Sequence, residues 1–311
     1  MTAVATLRVG TRASLLARTQ TNHVVSALGR IAGSPATEII EISTEGDRSS
    51  AALAQMGGTG VFVSALRDAL LSGRIDVAVH SYKDLPTGAF EGIAIGAVPT
   101  REDARDALVA RDGLTLGELP DGSRVGTGSP RRAAQLRALG LGLEIVAIRG
   151  NVDTRLGKVS SGELDAVVLA YAGLRRIGRA GEVTEVLDPL QVLPAPGQGA
   201  LAVECRSDDP ATLALLAPLD DEYTRAAVTA ERSLLAGLEA GCSSPIGALA
   251  EIAEGDDGPE IYLRASVTAA DGSDAVRLSV TGTMMDAESI GRRLADDLVE
   301  AGAEMIMESS T

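Results

Sequence analysis

Tryptophan is absent from the 311 residues, and aromatic rings are limited to Phe62, Phe90, four tyrosines and two histidines. So few rings exclude a stacking platform for RNA or single-stranded DNA. A net charge of −15 argues further against nonspecific nucleic-acid binding. With His23 and His80 as the only histidines, a His-rich metal site is not expected. The two cysteines, Cys205 and Cys242, make neither a CxxC metal pair nor a disulfide framework. No apolar run reaches membrane-spanning length, and MTAVATLRVGTRAS has no apolar signal core. These absences predict a soluble protein in a reducing, cytoplasmic setting, with no metal, nucleic-acid or membrane partner. Lysine is scarce as well: among 28 basic residues only Lys83 and Lys158 are not arginine.

What is present suits a globular protein of more than one core. Hydrophobic residues make up 45% of the chain, and its length points to two or three domains. Leu7-Arg8-Val9 reads as a strand, Gly10-Thr11 as a turn, and Ser14 to Leu28 as a helix with Leu15, Leu16, Val24 and Val25 on its apolar side. Free backbone N–H groups at that helix start suit an anion, and Arg12 is placed to close on it. Residues 38–42 alternate as a strand, and a polar, Gly-rich segment leads to a helix beginning near Phe62. Val77-Ala78-Val79 then delivers His80, Ser81, Lys83 and Asp84 to the end of a strand that Pro86 stops. An α/β sheet presents chemistry at its carboxyl edge in this way, which makes Asp84 the leading candidate for a catalytic carboxylate, although a solvated loop would look the same.

The plan then repeats. SRVGTGSPRRAAQLRAL (123–139) matches LRVGTRASLLARTQ (7–20), and GELDAVVLAYAGL (162–174) matches GRIDVAVHSYKDL (73–85). Two similar α/β lobes with crossings near 99–104 and 189–199 would enclose a cleft. In the second copy Ser129 is a good N-cap and Pro130 suits the first helical position, so Thr127, Gly128 and Ser129 can cradle an anion. Arg131 and Arg132 follow at once, and a strand ending in Arg149 leads to Arg155 and then Arg175-Arg176. Arginines recurring just after strands point to a carboxylate or phosphate site. No GxxxxGK[ST] loop is present, which argues against a nucleotide-binding enzyme. A solute-binding protein with two anion-ready lobes stays open on these features alone.

LPAPGQGALAVECR (193–206) has the composition of a hinge followed by a strand returning to the first lobe. The expected domains are 1–99 with 200–217, 105–193, and an α+β domain over 222–311 with an antiparallel sheet. In the last, DEYTRAAVTAERSLLAGLEAG forms an amphipathic helix and Cys242 sits in a Gly/Ser/Pro loop, better placed for modification than a cysteine inside an apolar element.

Taken together, VGTRASLLARTQ, STEGDR, HSYKDLPT, VGTGSPRRAAQL, IRGNVDTRL, APGQGALAVE, AERSLL and GCSSPIGALAE resemble the porphobilinogen deaminase (hydroxymethylbilane synthase) family, in order and across nearly the whole chain. The resemblance implies two periplasmic-binding-protein-like α/β lobes around a cleft plus the C-terminal α+β domain. It also implies a transferase that joins four porphobilinogen molecules into hydroxymethylbilane in haem biosynthesis. It assigns Asp84 as catalytic and Cys242 as the thioether attachment of a dipyrromethane cofactor. Cofactor and substrate binding fall to Arg12, Ser14, Ser81, Lys83, Thr127, Ser129, Arg131, Arg132, Arg149, Gly150, Asn151, Arg155, Arg176 and Gln198, with Phe62 as a lid or ring-packing residue. It further implies a monomer, no metal, and hand-over of product to uroporphyrinogen-III synthase. Gln55 and Thr59 stand where many members have lysine, which puts a charged lid in doubt.

Overall fold

The structure, a computed structural model, describes residues 6–42, 60–241, 244–255 and 258–308. The 43–59 segment with Gln55 and Thr59, and Cys242, expected in a loop, lie outside the described residues. The chain divides into two compact units, one of residues 1–101 with 200–225 and one of residues 102–199 with 226–311.

The first unit opens with β1 (Leu7–Thr11) and α1 (Leu15–Leu28). Ser14 caps the helix by accepting from the Ala17 N–H, and the N–H of Gly29 closes the other end on the Val25 carbonyl. β2 (Thr37–Glu41), α2 (Gly60–Leu71), β3 (Val77–Ser81) and β4 (Ile93–Ala97) follow. The sheet is completed by β10 (Leu201–Arg206), which returns from far along the chain as its sequence suggested. The order is β2-β1-β3-β10-β4, with β1 parallel to β2 and β3, and β10 antiparallel to β3 and β4.

Both faces of this sheet are covered, so its central strands are buried on both sides and largely apolar, with His80 and Glu204 as the exceptions in β3 and β10. Val9, Val77, Val79 and Val203 pack on α1 and on α6 (Pro210–Leu216), while Ala78 and Ile75 pack on Leu66 and Leu70 of α2. Each fully buried aliphatic side chain contributes about 1.5–3 kcal/mol.

The second unit contains the repeat. It holds β5 (Asp106–Ala110), β6 (Arg124–Thr127), α3 (Pro130–Ala138), β7 (Glu144–Ala147), α4 (Val152–Ser160), β8 (Ala166–Ala170), α5 (Tyr171–Arg176) and β9 (Glu185–Val186). The order β7-β6-β8-β5-β9 matches the first sheet position by position, with parallel pairs around β6 and antiparallel pairs around β5. Three details differ from the sequence expectation. Gly10-Thr11, expected as a turn, forms the end of β1 and pairs with Ile40 and Glu41 of β2. β7 stops at Ala147, two residues before Arg149. The REDARD stretch, expected only as a crossing, ends in Asp106 as the first residue of β5.

The same unit carries α7 (Glu222–Gly237), whose later turns belong to it, then the meander β11 (Ile246–Gly255), β12 (Gly258–Thr268) and β13 (Ala275–Thr283), and α8 (Ala287–Glu300) with α9 (Ala303–Glu308). This is the expected antiparallel sheet. On β12, Ile261, Leu263, Ala265 and Val267 face the helices and Tyr262 faces outward, the period of two that a one-sided sheet requires. Glu231 of α7 is fully buried and accepts from the N–H groups of Gly197 (2.6 Å) and Ala250 (2.9 Å), tying the proline-rich 193–199 segment to β11.

α7 and α8 approach closely at Gly291, where a Cβ would stand 2.3 Å from the Ala230 carbonyl oxygen and 2.8 Å from the Leu234 nitrogen. Backbone atoms cannot yield as a side-chain tip can. Gly291→Ala is therefore expected to destabilise the protein by about 1–3 kcal/mol, read as a lowered thermal unfolding midpoint; an unchanged midpoint would mean the helices separate freely.

Candidate functional site

In the first unit the candidate groups gather where β3 ends. Ser81 closes the strand and Tyr82–Asp84 form a single 3₁₀ turn, which brings Lys83 and Asp84 to the carboxyl edge of the sheet. The turn is tethered: the Tyr82 N–H donates to the Ala200 carbonyl (3.0 Å) and the Leu85 N–H to the Tyr82 carbonyl (3.1 Å). Gln20 of α1, buried, donates to the Ser81 hydroxyl at 2.9 Å. α1 thus brings together two predicted elements, the Ser14-capped helix start beside Arg12 and the Ser81 end of β3. Lys83 and Asp84 are both partly exposed. Phe62 lies in the first turn of α2, and its side chain is outside what is described.

In the second unit the candidates collect at the corresponding edge. Ser129 caps α3 by accepting from the Arg132 N–H, and its own N–H donates to the Thr127 hydroxyl at 3.2 Å. Arg131 and Arg132 are not surface arms. They are 3% and 5% exposed, and they share one carboxylate, that of the fully buried Asp106. Arg131 Nη2 lies 2.8 Å from Asp106 Oδ2 and Arg132 Nη2 lies 2.7 Å from Oδ1. Gln198 donates to the same Oδ1 at 2.7 Å, while Leu193 and Val168 carbonyls accept from the remaining Nη1 groups. Burial alone would raise the Asp106 carboxyl, but the two guanidinium groups and Gln198 hold it well below the usual carboxylate range.

Two arginines against one aspartate leave a buried net positive charge. The Nε atoms of both arginines are buried with no hydrogen-bond partner among the described residues. Nearby, Asn151 caps α4 by accepting from the Thr154 N–H (2.8 Å), and Gly150 at φ +109° adopts a conformation that favours glycine. Arg155 donates to the Gly150 carbonyl at 2.9 Å. Burial and then the charge of Arg132 push its pKa down. A Cβ at Gly128 would come within 2.7 Å of the Ile148 carbonyl oxygen and 3.5 Å of Arg155 Nη2, so only a bare backbone fits there. Arg176 donates to the Gly199 carbonyl at 2.6 Å, and burial lowers its pKa against the opposing pull of Glu102. Arg149 stands apart, exposed.

Asp106 was missed in the sequence because an aspartate before ALVA reads as a turn residue. Glu204 of β10, Arg67 of α2 and His80 were missed as a group as well, although a glutamate inside the apolar run LAVEC is a visible anomaly. Cys205 is buried in the first sheet, and burial pushes its thiol up to about 11, which removes it as a nucleophile near neutral pH.

The fold and these groups define an α/β protein of two equivalent lobes and an antiparallel C-terminal sheet, with an acidic turn on one sheet edge and a net-positive arginine cluster on another. A family model described as "Porphobilinogen deaminase, dipyromethane cofactor binding domain" matches residues 7–214, and one described as "Porphobilinogen deaminase, C-terminal domain" matches 225–300. Porphobilinogen deaminase of Mycobacterium tuberculosis (strain H37Rv) is 60% identical over 306 residues, 97% of this chain and 98% of that protein. The Nocardia farcinica protein of the same name is 59% identical over 97% of this chain and 88% of its own length. The chain belongs to the porphobilinogen deaminase family. Among solved structures, an ABC-transporter periplasmic substrate-binding protein from Coxiella burnetii is 15% identical with a TM-score of 0.42, covering 68% of this chain and 91% of that one; a likeness at that level carries no weight here. Among the described residues no helix is long and apolar enough to cross a membrane.

The Asp106 pairing yields a stability expectation with a definite sign. A carboxyl held below its ordinary value in the folded state stabilises fully above the unfolded value of about 3.9, and that stabilisation is lost as pH falls further. Asp106→Asn leaves two buried guanidinium groups without a counterion and is expected to cost about 3–5 kcal/mol at pH 7. Its unfolding midpoint should then decline less than that of the wild type on acidification below pH 4, and parallel declines would contradict the pairing.

Proposed function

We propose that the chain condenses four porphobilinogen molecules head to tail into the linear tetrapyrrole hydroxymethylbilane, releasing ammonia, as a transferase of tetrapyrrole (haem) biosynthesis. The observation that carries this reading is the family match across both family domains at 60% identity over 97% of the chain. The residues fit a dipyrromethane cofactor. Each pyrrole ring bears an acetate and a propionate, and the orphaned Nε donors of Arg131 and Arg132 lack acceptors of that kind. Their net positive charge calls for an anion, and a charge-assisted contact contributes about 1.5–3 kcal/mol. Arg149, Arg155 and Arg176, with Thr127, Ser129, Gly150, Asn151 and Gln198, would hold further carboxylates. Cys242 would carry the cofactor through a thioether, a role the buried Cys205 does not fit. When bound, the dipyrromethane supplies the free ring position from which the chain grows.

The chain's own chemistry centres on Asp84. Ammonia leaves porphobilinogen only as its aminomethyl nitrogen is protonated, and the resulting azafulvene shares positive charge with the pyrrole nitrogen. The Asp84 carboxyl group stabilises that charge and takes up the proton released on coupling. Lys83, Ser81, Ser14 and Arg12 bind substrate carboxylates and orient the ring, with Phe62 packing beside it. Three domains, 1–99 with 200–217, 105–193 and 222–311, divide these tasks. The protein works as a cytoplasmic monomer and hands its product to uroporphyrinogen-III synthase.

Two measurements test this. The intact mass of the wild type should exceed the sequence mass by two deaminated porphobilinogen units, and Cys242→Ala should lack that excess; an unmodified wild type that gains nothing on incubation with porphobilinogen would refute the function. Asp84→Asn should fold normally and lose about 10²–10⁴-fold in kcat, whereas near-normal turnover would remove Asp84 from the chemistry.

A further inference from the structure

A second buried charge cluster lies behind the Asp84 turn, and none of the steps above uses it. Glu204 sits inside β10 between buried Val203 and Cys205 and is 1% exposed. A carboxylate in the middle of an apolar strand is costly unless it is paired. Here Arg67 Nη2 approaches Oε1 at 2.6 Å, and Arg67 Nε lies 3.2 Å from both carboxylate oxygens. His80 Nε2 lies 3.2 Å from Oε2, off the line of a conventional hydrogen bond. Burial would raise the Glu204 carboxyl, but His80 and Arg67 bring it down to about 2.

The register explains why these three meet. β10 runs antiparallel to β3 with Ala202 opposite His80 and Glu204 opposite Ala78. Glu204 and His80 therefore share the face of the sheet that Ala78 presents to α2, and Arg67 comes from α2. His80 is followed directly by Ser81, where Gln20 grips from α1, and then by the turn bearing Asp84. The Arg67 guanidinium also lies 4.7 Å from the centroid of the Phe90 ring, in the loop beyond the turn. The segment from His80 to Phe90 thus meets Glu204 at its first residue and Arg67 at its last, the two members of one ion pair. Apolar side chains would fill this space at lower cost, so the arrangement is suited to fixing geometry rather than to stability alone.

We propose that Glu204, held by Arg67, is a positioning residue that acts through His80 to fix the turn carrying Asp84. This rests on the assignment of Asp84 made above. The experiment compares the full-length wild type with Glu204→Gln, with the paired variant Glu204→Leu/Arg67→Leu, and with Asp84→Asn, using porphobilinogen as substrate. Glu204→Gln is expected to lose 10- to 100-fold in kcat with KM within threefold of the wild type. The imidazole resonance of His80, one of only two in the chain, should shift while that of His23 stays fixed. The paired variant removes both charges together and should recover the wild-type thermal midpoint while kcat stays low. That split separates positioning from folding even if Glu204→Gln folds poorly. Wild-type kcat in the stably folded paired variant, or in Glu204→Gln, would overturn the proposal. An inactive wild type would instead overturn the proposed activity, and an active Asp84→Asn the assignment of Asp84, and the proposal falls with either.

Discussion

Two guanidinium groups cannot be buried side by side without anions, and the second unit is arranged around that requirement. Arg131 and Arg132 start the helix after β6, Asp106 starts β5, and Gln198 comes from the proline-rich segment near the end of the lobe. The cluster binds these elements of the unit to a single carboxylate. It also remains one negative charge short, with two Nε donors unsatisfied.

The duplication gives this arrangement a counterpart. β5 and β10 occupy the same place in their respective sheet orders, next to the strand that ends in the 3₁₀ or helical turn. Each carries one buried carboxylate, Asp106 in one and Glu204 in the other, and each is paired to arginine from a covering helix. The use differs. Asp106 sits at the start of its strand and leaves excess positive charge at a sheet edge. Glu204 sits within its strand and is matched by Arg67 and His80, so its effect is directed at the turn that follows β3. One lobe leaves its arginines in excess of their carboxylate, and the other balances its carboxylate with an arginine beside a histidine.

Much of this was legible in the sequence. The repeated Arg-Val-Gly-Thr stretch, the Ser14 and Ser129 caps and the apolar runs before His80 and Tyr171 mark β1, β3, β6 and β8 with their helices, although Gly-Thr closes the strand instead of turning it, because strands covered on both faces are largely apolar and helix starts need side-chain acceptors. The family motifs marked Asp84 and the arginines. What the sequence did not reveal was partnership. Nothing local in REDARDALVA says that Asp106 neutralises arginines 25 and 26 residues later, or that Arg67 meets a carboxylate 137 residues away. Such pairs arise from sheet order, and sheet order follows from a strand that returns after an entire lobe. For the same reason Arg131 and Arg132 read as free anion-binding arms, although the fold already commits half of their donors.

The most direct test follows the reaction on the protein itself. The purified chain is mixed with one to four equivalents of porphobilinogen, quenched in acid within a turnover, and its intact mass recorded. A ladder of covalent species, each heavier by one deaminated porphobilinogen unit and all mapping to the Cys242 peptide, is the result expected of a condensing enzyme with anion-binding arginines and an acidic turn. A single unshifted mass at every ratio, with porphobilinogen bound only reversibly, would contradict it and leave a solute-binding protein in its place.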